Sequence, residues 1–193
     1  MKYSELIKIA EKESIKLGLE PRLELSSPST GEKIKLFDNF CDSALIHMLI
    51  ERFDHGYWGQ QCLNVCAQAF ASLQHYTAPC ELVFGEVNIN GTNEFDTTLE
   101  GLKSELALGE QNTGMQIHVW LNIGKDYIID PTISSRINKY YDSSFPMNKI
   151  IRGKANSLEK KMKLKYKPML VGAKYLELTC AIPLTYNSAE QMA

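Results

Sequence analysis

The sequence predicts an α+β fold, with N-terminal helices packed on a mainly antiparallel sheet. Three observations carry that expectation. Apolar residues recur at helical spacing through the first half of the chain, then give way to short runs with a period of two. The later runs are joined by connections of hairpin length, which antiparallel strands need and parallel strands cannot use. No repeat, low-complexity tract or linker interrupts the 193 residues. A single domain over residues 1–193 is therefore expected, long enough to bury a substantial core.

Residues 3–18 alternate charged and apolar positions as an amphipathic helix does. The Ser/Pro/Gly run Leu25-Ser26-Ser27-Pro28-Ser29-Thr30-Gly31 reads as a loop. Phe40, Ala44, Leu45, Met48, Leu49 and Phe53 mark a second helix, with Gly56 suited to the left-handed backbone beyond its end. A third helix is expected from about Gln61 to Tyr76, with Cys62, Val65, Cys66, Ala69, Phe70 and Leu73 on its apolar side. Glu81 to Ile89 is strand-like, and Asn90-Gly91 is a tight-turn signal. Thr97 to Leu108 reads as a short helix, followed by a polar loop through Gly114. Met115–Ile123 and Tyr127–Thr132 are expected strands on either side of Gly124-Lys125-Asp126. Lys161 to Lys167 alternates strictly, as a strand with one solvated or edge-protecting face would. Tyr175 to Ile182 is read as a further strand.

Hydrophobic residues make up 44% of the chain, charged residues 23%, and the net charge is -2. No global basic field would draw nucleic acid or anionic lipid. No apolar run approaches the ~18 residues of a membrane span. The N-terminal segment lacks the pattern of a signal peptide. Five cysteines (Cys41, Cys62, Cys66, Cys80 and Cys180), an odd number, point to free thiols and a cytoplasmic, reducing setting. A free cysteine is ordinarily a small core residue, which is the expectation for Cys41, Cys66, Cys80 and Cys180.

Cys62 differs by position. Gly59-Gln60-Gln61 before it suits a loop-to-helix junction. At a helix start, unsatisfied amides and the helix dipole favour a thiolate and offer an oxyanion hole. His118 lies on an expected strand and shares a face with Trp120 and Asn122. Asp130 opens Asp130-Pro131-Thr132 at the end of the next strand. Across a hairpin, a carboxylate can fix the imidazole tautomer while the other ring nitrogen serves the thiol. Read singly, His118 is a buried polar side chain and Asp130 a turn carboxylate. Read together and in order, the three suit thiol-based acyl transfer.

Gly59-Gln60-Gln61-Cys62 resembles the Gly-Gln-Cys at the nucleophile of transglutaminase-like proteins, part of the wider papain-like cysteine superfamily. His118-Val119-Trp120 and Asp130-Pro131-Thr132 resemble that superfamily's His-(Ala/Val)-Trp and Asp-Pro-Thr segments, in the same order. The match covers about Tyr57 to Ile133. The chain departs from the pattern in its extra glutamine and in Leu63, where many members carry an aromatic residue. Its size resembles the small, stand-alone bacterial members. The resemblance implies a papain-like, transglutaminase-like fold, with Cys62 as nucleophile, His118 as general base and acid, and Asp130 as orienting carboxylate. Trp58, Gln60 and Gln61 are weaker candidates for the oxyanion site or cleft wall, and Trp120 for the cleft beside His118; packing or solvation would equally account for each.

The expected activity is a cysteine hydrolase or acyltransferase acting on an amide bond through a thioester, with a peptide, protein or small amide as substrate and no cofactor. A non-enzymatic binding module on the same fold is the alternative. A metal site from Cys62, Cys66, His118 and Asp130 is a third reading, disfavoured because no second cysteine pair exists to complete it, so no metal is expected.

Overall fold

In the computed structural model, residues 1–23, 35, 38–74, 80–110 and 116–179 are described. The expected loop at Leu25–Gly31, Met115 and Cys180 lie outside them. Among the described residues the chain is α+β: helices pack against a curled antiparallel sheet, as the change of period predicts. No helix among them is long and apolar enough to cross a membrane.

Helix α1 (Tyr3–Lys16) buries Tyr3, Ile7, Ala10 and Ser14 along one stripe. Its first turn is closed by Glu5, whose carboxylate accepts from the Lys2 amide at 2.9 Å. The second helix is less regular than its spacing suggests. A π-turn over Cys41–Leu45 leads into α2 (Ile46–Phe53). The positive-φ residue at its end is Asp54 (φ 59), ahead of Gly56. Helix α3 (Cys62–Gln74) follows a single 3-10 turn at Trp58–Gln60.

Strand β1 (Cys80–Ile89) turns through Asn90 and Gly91, both at positive φ, into the short β2 (Thr92–Asn93). The Asn-Gly signal therefore forms the hairpin it predicts. Helix α4 (Leu99–Leu108) starts where the Thr98 hydroxyl accepts from the Gly101 amide at 3.0 Å, and ends at Gly109 in the left-handed region. Strands β3 (His118–Ile123) and β4 (Tyr127–Asp130) form the expected hairpin. Helix α5 (Ile133–Tyr140), strand β5 (Ile151–Lys154) and helix α6 (Ala155–Met162) have no counterpart among the sequence expectations. Strand β6 (Leu164–Val171) begins later than the lysine alternation suggests, because Lys161 and Met162 still belong to α6 and Lys163 caps it at φ 57.

One expectation is overturned. The stretch read as a strand from Tyr175 contains helix α7 (Lys174–Leu178), with residues 180–182 outside the described range. The Gly172 amide still bonds to Leu82 at the end of β6, but the chain then folds back. Tyr175 packs on Phe84 with ring centroids 4.4 Å apart, and its hydroxyl bonds to Glu105. Tertiary packing of one buried ring outweighs the β propensity of Tyr, Leu and Thr.

Among the described residues every strand pairing is antiparallel. β1 is flanked by β6 on one edge and by β3 and β2 on the other, and the sheet continues through β4 to β5. The sheet has two apolar faces. Val119, Leu121 and Ile129 pack with α3 through Val65, Cys66, Ala69 and Phe70. Trp120, Ile128, Val83 and Val87 pack on the other side with α1, α5 and α6. The alternation of β3 thus divides its side chains between two cores.

Gly85 sits opposite His118 in the β1–β3 register, at an irregularity in the β1–β6 pairing. A Cβ there would lie 2.2 Å from the Lys167 carbonyl oxygen and 2.9 Å from the Trp120 ring. The first contact is with backbone and cannot be relieved by a rotamer change. Gly85→Ala is expected to destabilise the protein by about 2 kcal/mol or more, measured by urea unfolding. An unchanged midpoint would mean that β6 shifts freely and that this approach constrains nothing.

Candidate active site

The β3–β4 hairpin, in register at Leu121↔Ile129, brings His118 and Asp130 together at one end of the sheet. His118 Nε2 donates to Asp130 Oδ2 at 2.7 Å, and both side chains are fully buried. The second carboxylate oxygen is equally engaged. Oδ1 accepts from the Thr132 amide at 2.9 Å, the Thr132 hydroxyl at 3.1 Å and the Ile133 amide at 3.0 Å. Asp130 is thus both the turn carboxylate and the imidazole partner, using one oxygen for each task.

Burial by itself would raise the proton affinity of Asp130. The His118 ring and the amides of Thr132 and Ile133 outweigh it and hold the carboxyl below the usual carboxylate range. For His118, burial would lower the pKa; the Asp130 carboxylate and, with it, the Cys62 thiol raise it to about 9. Nδ1, the other ring nitrogen, is buried and without a hydrogen-bond partner among the described residues. The ring itself is clamped. Phe95 stacks on it with centroids 4.3 Å apart, and Trp120 lies at 5.8 Å. Glu86 fixes Phe95 by accepting its amide at 3.0 Å, and the Arg136 guanidinium lies over the Phe95 ring at 4.6 Å.

Cys62 is the first residue of α3 and 6% exposed. Its Sγ donates to the carbonyl of Ile117, directly before His118, at 2.9 Å. One turn on, the Cys66 thiol donates to Val119 O at 3.0 Å and is fully buried. The body of α3 covers the Val119–Leu121 face, whereas His118 faces the same side as Trp120. Thiol and imidazole approach because Cys62 stands at the tip of the helix and His118 at the first position of the strand.

The weaker candidates separate. Trp58 is buried in the α3 core, and its indole donates to Asp54 O at 3.0 Å, so it anchors the turn before Cys62. Trp120 is also a packing residue, whose indole donates to Tyr3 Oη at 3.0 Å. Gln60 and Gln61 are exposed beside the helix start and make no side-chain hydrogen bond among the described residues. Among those residues no group of three or more His, Cys, Asp or Glu side chains has an arrangement that could hold a metal ion. Sequence reasoning missed Phe95, Thr97 and Tyr166. Thr97 Oγ1 accepts from the His118 amide at 3.2 Å, and Tyr166 donates to Asp130 Oδ2 at 3.1 Å. The alternation of β6 marks Tyr166 as inward-facing but says nothing of its partner.

The His118–Asp130 pair makes stability depend on pH with a defined sign. The folded-state pKa of His118 is raised from 6.5 to about 9. Its contribution is fully present below about 6.5 and is lost as pH rises through about 9. Asp130 is lowered from 3.8, so its contribution is present above that value and is lost as pH falls through the lower folded value. Urea unfolding from pH 6 to 10 should show wild-type stability declining on the alkaline side, with that slope largely absent in Asp130→Asn. Parallel curves for the two proteins would show that the pair is not charged in the native state.

No family model matches the chain, and no curated protein matches it. Among solved structures, one described as "The crystal structure of genomics APC5867" is similar over 68% of this chain and 60% of its own, with a TM-score of 0.38 and 17% identity. The chain thus spans less than two thirds of that protein, and likeness at this level assigns neither a family nor an activity.

Proposed function

We propose that Cys62, His118 and Asp130 form the triad of a cysteine-dependent hydrolase or acyltransferase on a transglutaminase-like, papain-like fold. The observation that carries this reading is the division of labour on the imidazole. Nε2 is committed to a buried carboxylate, while Nδ1 is left without a partner beside a helix-start thiol. A buried polar atom without a partner is costly, and proteins keep such atoms where chemistry uses them. The curled antiparallel sheet and the cysteine helix packed on it agree with the fold that the motifs imply.

The chemistry follows from these positions. In the reactive thiolate–imidazolium form the Cys62 proton resides on His118 Nδ1, in keeping with the raised pKa of the ring, and Sγ attacks the carbonyl carbon of an amide. Backbone amides of the first turn of α3 face the developing oxyanion. The tetrahedral intermediate collapses, the C–N bond breaks, and the imidazolium gives its proton to the departing amine. Water or a second amine, deprotonated by the same nitrogen, then releases the acyl group from sulfur. Asp130 stabilises the imidazolium and holds its tautomer throughout. The substrate class is a peptide, a protein side-chain amide or a small amide. A binding module remains the second reading, favoured by one observation: the Cys62 thiol bonds to Ile117 O and the triad is almost closed to solvent.

Alkylation separates the two. Burial pushes the thiols of Cys41 and Cys80 up to about 12 and that of Cys66 well above its ordinary value. Limiting iodoacetamide near pH 7, followed by mass mapping, should therefore mark Cys62, and His118→Ala should slow that reaction about tenfold or more. Preferential labelling of Cys66, or slow labelling of all, would favour the binding module.

Turnover gives the second test. Against a panel of glutamine-containing peptides and simple amides, Cys62→Ala should abolish the acyl-enzyme mass. Asp130→Asn should keep the fold and lose roughly 10²–10⁴ in rate. Full activity without the Cys62 sulfur would end the thioester mechanism.

A further inference from the structure

The carboxylate oxygen that holds His118 has a second donor that the acyl-transfer scheme does not use. Tyr166, on β6, is 3% exposed, and its hydroxyl donates to Asp130 Oδ2 at 3.1 Å, beside the 2.7 Å bond from His118 Nε2. The ring is fixed against Trp120, edge-on at 5.1 Å, and Trp120, like Phe95, stacks with the imidazole. Burial, with Asp130 beside it, keeps the phenol protonated far beyond any working pH. It can only donate. Because Oδ1 is already occupied by Thr132 and Ile133, Oδ2 is the atom through which Asp130 acts on the ring.

We propose that Tyr166 is a positioning residue of this site, anchoring the Asp130 oxygen that holds His118 and taking up part of its negative charge. The inference rests on the acyl-transfer reading for its purpose, though not for its measurement. An imidazole that must both accept a proton from sulfur and return it to an amine works best when it is not too basic. A carboxylate with one donor on Oδ2 pulls harder on the imidazolium than one that shares the oxygen between two. Tyr166 therefore restrains the basicity that Asp130 gives to His118, and fixes the direction of the bond between them. The other titratable and charged groups around the pair are Cys62 and Glu86, which act on His118, and Cys66, which acts on Asp130. Tyr3 acts on Tyr166, and Arg136 lies beyond Phe95. None of these donates to Oδ2.

The test is the titration of His118 in the full chain, followed by ¹⁵N NMR and assigned with His118→Gln. Tyr166→Phe keeps the ring and removes only the hydroxyl, and should move the His118 titration upward by about 0.5 to 1 unit. Tyr3→Phe is the structural control. Its hydroxyl is buried on the same face and bonds to Trp120 and Asn122 without touching Asp130. It should cost stability and leave the titration in place. An unmoved or lowered titration in Tyr166→Phe, or an equal movement in Tyr3→Phe, overturns the proposal. Should Tyr166→Phe fail to fold, the wild-type protein decides: the Tyr166 hydroxyl proton must be slow to exchange and must shift with the His118 titration, and one that ignores it refutes the sharing. These readouts do not depend on Cys62 being a nucleophile, so failure here and failure of the acyl-transfer reading are distinguishable.

Discussion

A single buried carboxylate organises this end of the molecule. Asp130 has no contact with solvent, and a charge in that position persists only where it is paired and fully hydrogen-bonded. Its donors come from separate parts of the chain: His118 on β3, Tyr166 on β6, and Thr132 and Ile133 at the start of α5. The curl of the sheet, the entry into α5 and the orientation of the imidazole are consequently linked. Moving any one of these elements would strand part of a charge in a low-dielectric interior, where it is far more costly than at the surface.

The imidazole is fixed by packing as well as by charge. Phe95 and Trp120 both stack with it, and each is held by a further group. Phe95 hangs from Glu86 through its amide; Trp120 is tied through Tyr3 to Asn122, joining α1 to β3. Gly85, opposite His118, leaves room for the Trp120 ring and the close approach of β6. The result is a histidine with one free nitrogen and almost no rotational freedom. That is the preorganisation a proton-transfer group requires, since nothing has to be ordered at the moment of reaction.

The two cysteines of α3 show how position alone divides roles between identical side chains. Both thiols donate to backbone carbonyls of β3 or the residue before it, two residues apart, matching their spacing of one helical turn. Cys66 is enclosed by the core and held as a thiol. Cys62 stands at the helix tip, where the first-turn amides have no intrahelical partners and the strand has just begun. The helix and the imidazole occupy different faces of the sheet, so only a residue at that tip can address both.

The sequence by itself determined the period of α1, α3, β1, α4 and the β3–β4 pair, the Asn90-Gly91 hairpin, and the order of Cys62, His118 and Asp130. These are local properties: side-chain alternation, turn stereochemistry and helix-start chemistry act over a few residues and leave a mark in the spacing. It also carried both readings of Asp130, as turn residue and as imidazole partner, without indicating that two oxygens allow both. The tertiary structure alone decided what depends on distant neighbours. It turned Tyr175 into a helix by packing it on Phe84 and Glu105, withdrew Trp58 and Trp120 into the cores, and brought Phe95 and Tyr166 to the histidine and its carboxylate. Tyr166 lies 36 residues beyond Asp130, and no periodic pattern encodes which buried hydroxyl will meet which carboxylate. That pairing arises only when β6 adds to the far edge of β1 and the curled sheet carries its face over the hairpin.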